Sequence, residues 1–364
     1  MKKILFLSPD VIQGGIINNV KEKSNLEIIT YLNLNYINKD KLLRQSRLNS
    51  IDPFLIFTKL GFQIGGTRFY FGLKKKFKEI NPEIVVVLDF YRFHFWQAMC
   101  LKPKNTKLVL CSETKNYPKN PISKIILWFY IQLLKIFKSK VDKIITYNSD
   151  AKRFLEKRIN GKKIYVVPAP IYSKEFKFKR NKSFFNNDKL EILIIARMVG
   201  FKRYDLLLKT LSKIKTEKKL KFNLTIVGNG PQEKKIKKWI KKFDLEEEVK
   251  ILAPTNKKNL NKIYSNADVF ILPSHNEAIG RVIGEAMSCG IPTITSSTVG
   301  ANEYVINNKT GYIFQDGNYI DLKNKILKIA NKDTLNKLSK EAIKQSKKFN
   351  PKDIAKQYIN TIKK

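Results

Sequence analysis

Residues 273–303 read P-S-H-N-E-A-I-G-R-V-I-G-E-A-M-S-C-G-I-P-T-I-T-S-S-T-V-G-A-N-E, and this stretch carries the strongest information about the fold. The preceding residues 267–272, A-D-V-F-I-L, form a short apolar run typical of a buried strand. A helix is predicted to begin at about Gly280 and to end before Gly290, because that glycine with Pro292 two residues later is a common helix stop. The stretch therefore predicts a buried strand, a loop and then a helix.

Two acids flank the start of this predicted helix. Glu277 lies just ahead of it, and Glu285 lies about one and a half turns into it. The first free N–H groups of this helix, on Gly280, Arg281 and Val282, form an anion-binding site that carries roughly half a positive charge. Glu277 and Glu285 are then placed to hold hydroxyls on either side of a bound diphosphate, the layout that a sugar nucleotide requires. The alternative is an ordinary strand–helix unit whose acids are solvated.

The same stretch resembles the E-x7-E motif of retaining glycosyltransferases of the GT-B fold, in particular family 4. P-S precedes Glu277, a glycine stands within the motif, and E-A-M-S-C-G-I-P and G-A-N-E follow. The resemblance implies transfer of a sugar from a nucleotide-diphosphate sugar with retention of configuration and without a metal cofactor. It also implies that Glu277 contacts the transferred sugar and that Glu285 contacts the ribose.

A basic segment follows the first strand of the second half. Residues 196–205 read A-R-M-V-G-F-K-R-Y-D, which resembles the family's G-R-x(3–4)-K-G segment with Ala196 in place of glycine. The resemblance implies that Arg197 and Lys202 reach the donor diphosphate and act in catalysis. Fixed cations there stabilise the negative charge that the leaving nucleotide gains. The sequence has no D-x-D metal clamp, so protein cations and the helix N-terminus are expected to replace a divalent metal.

Two glycine turns are predicted to approach the donor. Residues 227–231, V-G-N-G-P, resemble the family's V-G-x-G-P, so Gly230 is a candidate donor contact, with a simple tight turn as the alternative. Gly14 and Gly15 follow the first strand, and Gly15 is predicted to let its loop approach the diphosphate or the acceptor. Glu303, at the end of G-A-N-E, is predicted to cap the next helix.

The first half departs from the family where relatives commonly carry a histidine near the reacting sugar. Glu113 follows the predicted strand 107–111, and Asp89 ends V-V-V-L-D. By the resemblance, each of these two acids stands at a position where relatives commonly have a histidine. Glu113 or Asp89 is therefore the candidate polar partner of the acceptor hydroxyl or the donor sugar. The two histidines are His94, interpreted as a packed helix residue, and His275, which occupies a variable place in the motif.

Length and strand pattern predict two domains. The chain has 364 residues, more than one typical core, and continuous Val/Ile runs between helical patterns predict parallel sheets covered on both faces. The fold class is α/β, with two doubly wound Rossmann-like domains facing across a cleft (GT-B) and a C-terminal helix that returns to the first domain. The predicted boundaries are 1–170 for the acceptor-binding domain, 171–188 for a linker, 189–346 for the nucleotide-sugar-binding domain and 347–364 for the terminal helix.

The formal net charge of +40 indicates an anionic partner. Each lysine near an anionic leaflet contributes about 1 kcal/mol, so an anionic membrane surface is expected beside the donor and a glycan or lipid-linked acceptor. No nucleic acid is expected, because the sequence contains no RNP-type motif, zinc finger or basic heptad region. A Lys-rich nucleic-acid-binding protein stays an alternative, as does a sugar-nucleotide hydrolase or epimerase on the same fold.

The expected location is the cytoplasm, peripheral on the inner face of the cell membrane. Three cysteines, odd in number and without C-x-x-C spacing, favour a reducing compartment. No apolar run approaches the ~18 residues of a membrane span, and residues 125–137 are interpreted as a buried crossover helix, one face of which could rest on a bilayer. Family context favours an acceptor in bacterial surface polysaccharide or lipopolysaccharide biosynthesis.

Overall fold

The chain divides into two compact α/β units. One comprises Met1–Pro170 with Pro351–Lys364, and the other comprises Ile171–Asn350. The computed structural model describes residues 2–7, 26–31, 50–51, 69–70, 72–118, 120–172, 176, 183–185 and 188–363. Gly14, Gly15 and most of the predicted linker 171–188 therefore lie outside the described residues.

The first unit is built on a six-stranded parallel sheet. The strands of this unit are β1 (Lys2–Leu7), β2 (Leu26–Tyr31), β3 (Ser50–Ile51), β4 (Phe69–Tyr70), β5 (Ile84–Leu88), β6 (Lys107–Ser112), β7 (Lys143–Thr146) and β8 (Ile164–Val166). The parallel sheet has the order β2-β1-β5-β6-β7-β8, while β3 and β4 form a short antiparallel pair. Its central strands are buried along their length because helices cover both faces, which explains their continuous apolar runs.

The second unit repeats this architecture. Its strands are β9 (Lys189–Ile195), β10 (Lys221–Val227), β11 (Val249–Leu252), β12 (Val269–Leu272), β13 (Thr293–Ser296) and β14 (Gly311–Phe314). They are all parallel, in the order β11-β10-β9-β12-β13-β14. The strand order reverses between the neighbours β9 and β12. The helices that follow these two strands lead away in opposite directions along the sheet, and open α/β sheets bind ligands at that point.

Eleven α-helices connect the strands in the described part of the chain. They are α1 (Leu73–Ile80), α2 (Phe93–Leu101), α3 (Pro121–Ile136), α4 (Ser149–Glu156), α5 (Tyr204–Thr216), α6 (Glu233–Lys242), α7 (Lys257–Asn266), α8 (Arg281–Ser288), α9 (Tyr319–Ile329), α10 (Lys332–Lys347) and α11 (Pro351–Lys363). Asparagine side chains accept backbone N–H groups at several N-termini, which satisfies donors that have no partner within the helix. These caps are Asn120, Asn148, Asn256, Asn318 and Asn331.

The last helix, α11, packs on the first unit, as the sequence predicted. Tyr358 stacks its ring on Phe6 of β1 with centroids 6.2 Å apart, and its hydroxyl lies 2.8 Å from Cys111 Sγ. Lys143 Nζ donates to the Thr361 carbonyl at 3.0 Å. Contacts from the sheet core to the chain's end therefore hold α11 in place. The predicted pair of doubly wound sheets with a returning C-terminal helix is confirmed.

Residues 125–137 were predicted to form a buried helix; the helix is present, but it is only partly buried. The helix α3 exists, and Leu127, Ile131 and Leu134 on one of its faces are buried. Its other face is exposed, because a helix lying on a sheet buries only one apolar stripe. Among the described helices, none is both long enough and apolar enough to span a bilayer.

Candidate active site

The N-terminus of α8 lies beside the loops that follow β9, β12 and β13. Gly280, its N-cap, has φ +69°, and a Cβ there would lie 3.0 Å from Val299 Cγ1 and 3.2 Å from Ala301 Cβ. Glycine is therefore required both by the backbone conformation and by this packing. Within the described residues, no protein group accepts a hydrogen bond from the N–H groups of Gly280, Arg281 or Val282. These donors can serve an anion.

Lys202 and Glu277 form a direct ion pair beside this helix terminus. Lys202 closes a 3₁₀ helix, Gly200–Lys202, in the loop after β9, and its side chain is only 10% exposed. Its Nζ donates to Glu277 Oε1 at 2.6 Å. The Glu277 carbonyl in turn accepts from the Gly300 N–H at 2.8 Å, which joins the loops after β12 and β13. Two of the three predicted catalytic side chains, Lys202 and Glu277, are thus in direct contact and are fixed by backbone hydrogen bonds as well as by charge.

Glu285 is held by a tyrosine that the sequence analysis did not single out. Tyr264, at the end of α7, is fully buried, and its hydroxyl donates to Glu285 Oε2 at 3.0 Å. Burial and the Glu285 carboxylate together raise the pKa of Tyr264 well above its ordinary value, so that it stays a donor. The same two causes raise the pKa of the Cys289 thiol to about 12. No local pattern marks Tyr264, since its contact depends on how α7 packs beside α8.

A second network fixes the loop between β12 and α8. The His275 N–H donates to the Phe201 carbonyl at 2.7 Å, and His275 Nδ1 contacts Asp316 Oδ2. Asn276 Nδ2 lies 3.1 Å from His275 Nε2, and the Asn276 N–H donates to Thr298 Oγ1 at 3.1 Å. His275 therefore connects the loops after β9 and β14. The sequence analysis did not single out Asp316, although a polar residue just after a parallel strand is a recognisable sign of a functional position.

Arg197 and Gly230 lie on neighbouring loops of the same sheet edge. Arg197 is exposed in the loop after β9, while Gly230 follows β10. A Cβ at Gly230 would lie 2.6 Å from the Met198 carbonyl oxygen, and Met198 N–H donates to the Asn229 carbonyl at 2.7 Å. The glycine is thus required by the close approach of these two loops. The tight-turn interpretation has a structural basis that needs no ligand.

In the first unit, Asp89 and Glu113 lie together at the carboxyl ends of β5 and β6. Asp89 is buried with φ +54°, and its Oδ1 accepts from the Glu113 N–H at 3.2 Å and from the Ser112 hydroxyl at 3.3 Å. Its Oδ2 accepts from the Tyr91 hydroxyl at 2.7 Å and lies 3.4 Å from Arg92 Nε. Burial and this carboxylate raise the pKa of Tyr91. Asp89 therefore orders the loops that carry Glu113.

Two further residues from the sequence analysis have clear positions. His94 is buried in α2 with its ring edge-on to Tyr70 at 6.2 Å between centroids, in agreement with its interpretation as a packed helix residue. The prediction that Glu303 caps a following helix is wrong, because Glu303 ends a short 3₁₀ helix and the next regular element is the strand β14. No cluster of three or more metal-ligating side chains occurs among the residues with described positions.

The sequence matches a known protein family over its second unit. The family model for glycosyl transferases group 1 matches residues 175–349. An uncharacterized glycosyltransferase from Haemophilus influenzae is 25% identical over 255 residues, an alignment covering 68% of each protein.

Two solved structures share the fold across the whole chain. Sucrose-phosphate synthase from Thermosynechococcus elongatus has a TM-score of 0.77 at 18% identity, covering 100% of this chain and 98% of that one. The apo form of the lipopolysaccharide outer core galactosyltransferase WaaB has a TM-score of 0.76 at 17% identity, covering 100% and 99%. At these identities the likeness establishes the fold, which is GT-B.

Proposed function

Because the chain is a glycosyltransferase that belongs to the glycosyl transferases group 1 family through residues 175–349, we propose that it transfers a sugar from a nucleoside-diphosphate sugar to a glycan or glycolipid acceptor with retention of configuration. The observation that carries the proposal is the Lys202–Glu277 ion pair, which lies beside the backbone N–H groups of Gly280 and Arg281 at the start of α8. Cation, carboxylate and oriented N–H groups meet where the strand order reverses. That arrangement suits a sugar diphosphate, which carries hydroxyls at one end and negative charge beside them.

The proposed reaction breaks the bond between the anomeric carbon and the donor diphosphate oxygen. The acceptor oxygen forms its new bond to that carbon on the same face, and its proton passes to the leaving phosphate oxygen. Negative charge grows on the diphosphate as its bond breaks. Lys202, Arg197 and the N–H groups at the start of α8 stabilise that charge in the transition state, so the proposal requires no divalent metal.

The two acids of the motif have separate proposed roles. Glu277, tied to Lys202, accepts hydrogen bonds from hydroxyls of the transferred sugar. Glu285, oriented by Tyr264, accepts from the ribose hydroxyls. The two carboxylates are fixed by different partners on different elements, so binding does not have to order them. Gly230 is proposed as a backbone contact of the donor through the loop after β10.

The acceptor is proposed to engage the first unit near Glu113. Asp89 is proposed as a positioning residue, because its two oxygens already accept three hydrogen bonds from the protein and form an ion pair with Arg92. The basic chain, with its net charge of +40, supports an acceptor in a bacterial surface polysaccharide or lipopolysaccharide and a site of action on the inner face of the membrane. The fold shared with WaaB is compatible with such an acceptor, and the fold shared with sucrose-phosphate synthase is compatible with a soluble one.

A thermal-shift panel tests the donor site. The full chain is melted with UDP-, GDP- and ADP-sugars, with and without EDTA, since a ligand that binds only the folded state raises Tm. One donor class is expected to raise Tm with EDTA present, and Lys202→Met is expected to abolish that rise. No rise with any sugar nucleotide contradicts the proposal, and retention on RNA instead would favour the nucleic-acid alternative.

The product separates transfer from its rivals on the same fold. The stabilising donor is incubated with and without an acceptor extract, and the anomeric configuration of the new linkage is read by NMR. Transfer with retention predicts acceptor-dependent product that has the donor's configuration. Equal release of free sugar without acceptor would indicate hydrolysis, and an altered sugar on an intact nucleotide would indicate epimerisation.

A further inference from the structure

The outer face of α3 is an exposed apolar surface. Nine large hydrophobic side chains are markedly exposed among the described residues, and five of them belong to this one helix. They are Ile122 (53%), Ile125 (65%), Trp128 (52%), Phe129 (53%) and Ile136 (69%). Single exposed hydrophobic residues are ordinary on a protein surface, but a contiguous set on one element marks an interaction surface. We call these five residues the α3 face.

The α3 face is a consequence of helical spacing and is held rigidly. Ile122, Ile125, Phe129 and Ile136 follow one another at intervals of three, four and seven residues, which places them on one side of the helix. The opposite side packs Leu127, Ile131 and Leu134 into the core of the first unit. The helix begins sharply, because the Asn120 side chain accepts from the Ser123 N–H at 3.1 Å and Pro121 follows the cap. The α3 face is thus presented by a fixed element.

The chain segment that carries the α3 face has charges of one sign only. Between Thr114 and Val141 the sequence contains six lysines and neither Asp nor Glu. Lys124 and Lys135 on the helix itself are exposed, as is Lys140 just after it. The helix and its flanking residues therefore combine exposed apolar and aromatic side chains with cations, and this segment contributes no acid that would repel an anionic partner.

We propose that the α3 face docks on an anionic lipid bilayer. Isoleucines and Phe129 enter the boundary between headgroups and acyl chains, Trp128 lies at the headgroup level, and the exposed lysines contact lipid phosphates. The helix lies on the bilayer and does not cross it, since its 16 residues extend only ~24 Å against ~30 Å of hydrocarbon. This inference rests on the proposed function in one respect, because a glycolipid acceptor gives the enzyme a reason to be at a membrane.

Charge favours a bilayer over a second copy of this chain. Two copies that paired through their α3 faces would bring the same lysines together across a symmetric contact. The surrounding segment has no acid to compensate them. An anionic leaflet supplies both the apolar layer and the opposite charge, so one partner matches both properties of the surface.

Vesicle sedimentation tests the proposal with the full chain. Wild-type protein is expected to sediment with vesicles containing phosphatidylglycerol and much less with phosphatidylcholine alone. The double variant Ile125→Asp/Phe129→Asp is expected to weaken vesicle binding more than about tenfold. The matched control Ile306→Asp/Ile320→Asp changes two exposed isoleucines of the second unit and is expected to bind as wild type. Circular dichroism and Tm verify that each variant is folded.

Tryptophan fluorescence is an independent measure of vesicle binding, and it does not require a destabilising substitution. Wild-type emission is expected to shift to shorter wavelength with anionic vesicles, and Trp128→Phe is expected to remove the shift while binding persists. The proposal is overturned if wild-type protein ignores anionic vesicles, if the α3 double variant binds them like wild type, or if the α3 face instead mediates a lipid-free dimer. Donor thermal shifts on the same variants separate the two proposals. The α3 variant is expected to keep its donor shift, and Lys202→Met is expected to keep vesicle binding.

Discussion

Lys202 Nζ and Glu277 Oε1 lie 2.6 Å apart although 75 residues separate them in the sequence. The contact exists because β9 and β12 are hydrogen-bonded neighbours in the sheet, so the loops that leave their carboxyl ends meet. Both side chains are largely buried, at 10% and 14% exposure. A lysine held this close to one carboxylate is positioned before any substrate arrives, and in the proposed reaction this would avoid reorganisation.

Removing either member of this pair should reduce transfer with little change in fold. We expect Lys202→Met and Glu277→Gln each to lower kcat/KM by about 100-fold or more, because each removes an interaction with the reacting group. The loss of the ion pair should also lower the free energy of unfolding by about 1–3 kcal/mol. Steady-state kinetics and urea unfolding measure the two effects. The control Lys213→Met removes an exposed lysine of α5, and activity equal to wild type in Lys202→Met would refute the site assignment.

Tyr264→Phe should weaken donor use without touching the donor itself. The variant removes the hydrogen bond that orients Glu285 and leaves the buried ring in place. A hydrogen bond to a carboxylate contributes about 1.5–3 kcal/mol, so we expect the donor KM to rise roughly tenfold with a smaller change in kcat. Tyr130→Phe, a tyrosine in the first unit, is the control. An unchanged donor KM in Tyr264→Phe would contradict the proposed role of Glu285.

Gly228→Ala should destabilise the second unit strongly. A Cβ at this position would lie 2.1 Å from the Ala196 carbonyl oxygen, and φ is +150°. We expect the free energy of unfolding to fall by about 3 kcal/mol or more, because neither backbone can move away without breaking strand pairing. Gly317→Ala separates strain from collision, since φ there is +77° and no atom lies within 4 Å of its new Cβ. The Gly317→Ala control should lower the free energy of unfolding by only about 1 kcal/mol. Equal effects in urea unfolding would disprove the steric explanation.

The buried thiol of Cys289 should make stability fall at alkaline pH. Its folded pKa is raised to about 12, whereas an unfolded cysteine ionises near about 8.5. The unfolded chain therefore loses this proton first, and the thiol's contribution, complete below pH ~8.5, is lost as pH rises toward 12. Between pH 8 and pH 10 the wild-type protein should lose roughly 2 kcal/mol more than Cys289→Ala.

Urea unfolding at each pH measures this difference, because the remaining titrating groups are common to both proteins. Cys100→Ala, at an exposed cysteine, should follow the wild-type pH dependence. Parallel curves for wild type and Cys289→Ala would show that the thiol ionises no later in the folded chain than in the unfolded one.

Much of the fold was predictable from sequence because its signals are local. The apolar run 267–272 and the stop at Gly290 predicted a strand and a helix where β12 and α8 occur. The C-terminal helix was predicted within 347–364 and spans Pro351–Lys363. The strand β2 was missed, since Glu27 interrupts its short apolar run. The burial of α3 was also mispredicted, because a helix rich in apolar residues all round carries no local mark of the side that stays exposed.

The sequence by itself determined the α/β class, the two repeated units and the position of the motif around Glu277, because hydrophobic period and glycine placement act over a few residues. The tertiary structure alone decided that Lys202 binds Glu277 and that Tyr264 orients Glu285. It also decided that Gly230 must be glycine, because the loop after β9 approaches it closely. These contacts depend on strand order and helix packing. Both arise from the whole set of long-range interactions, which no short stretch of chain encodes.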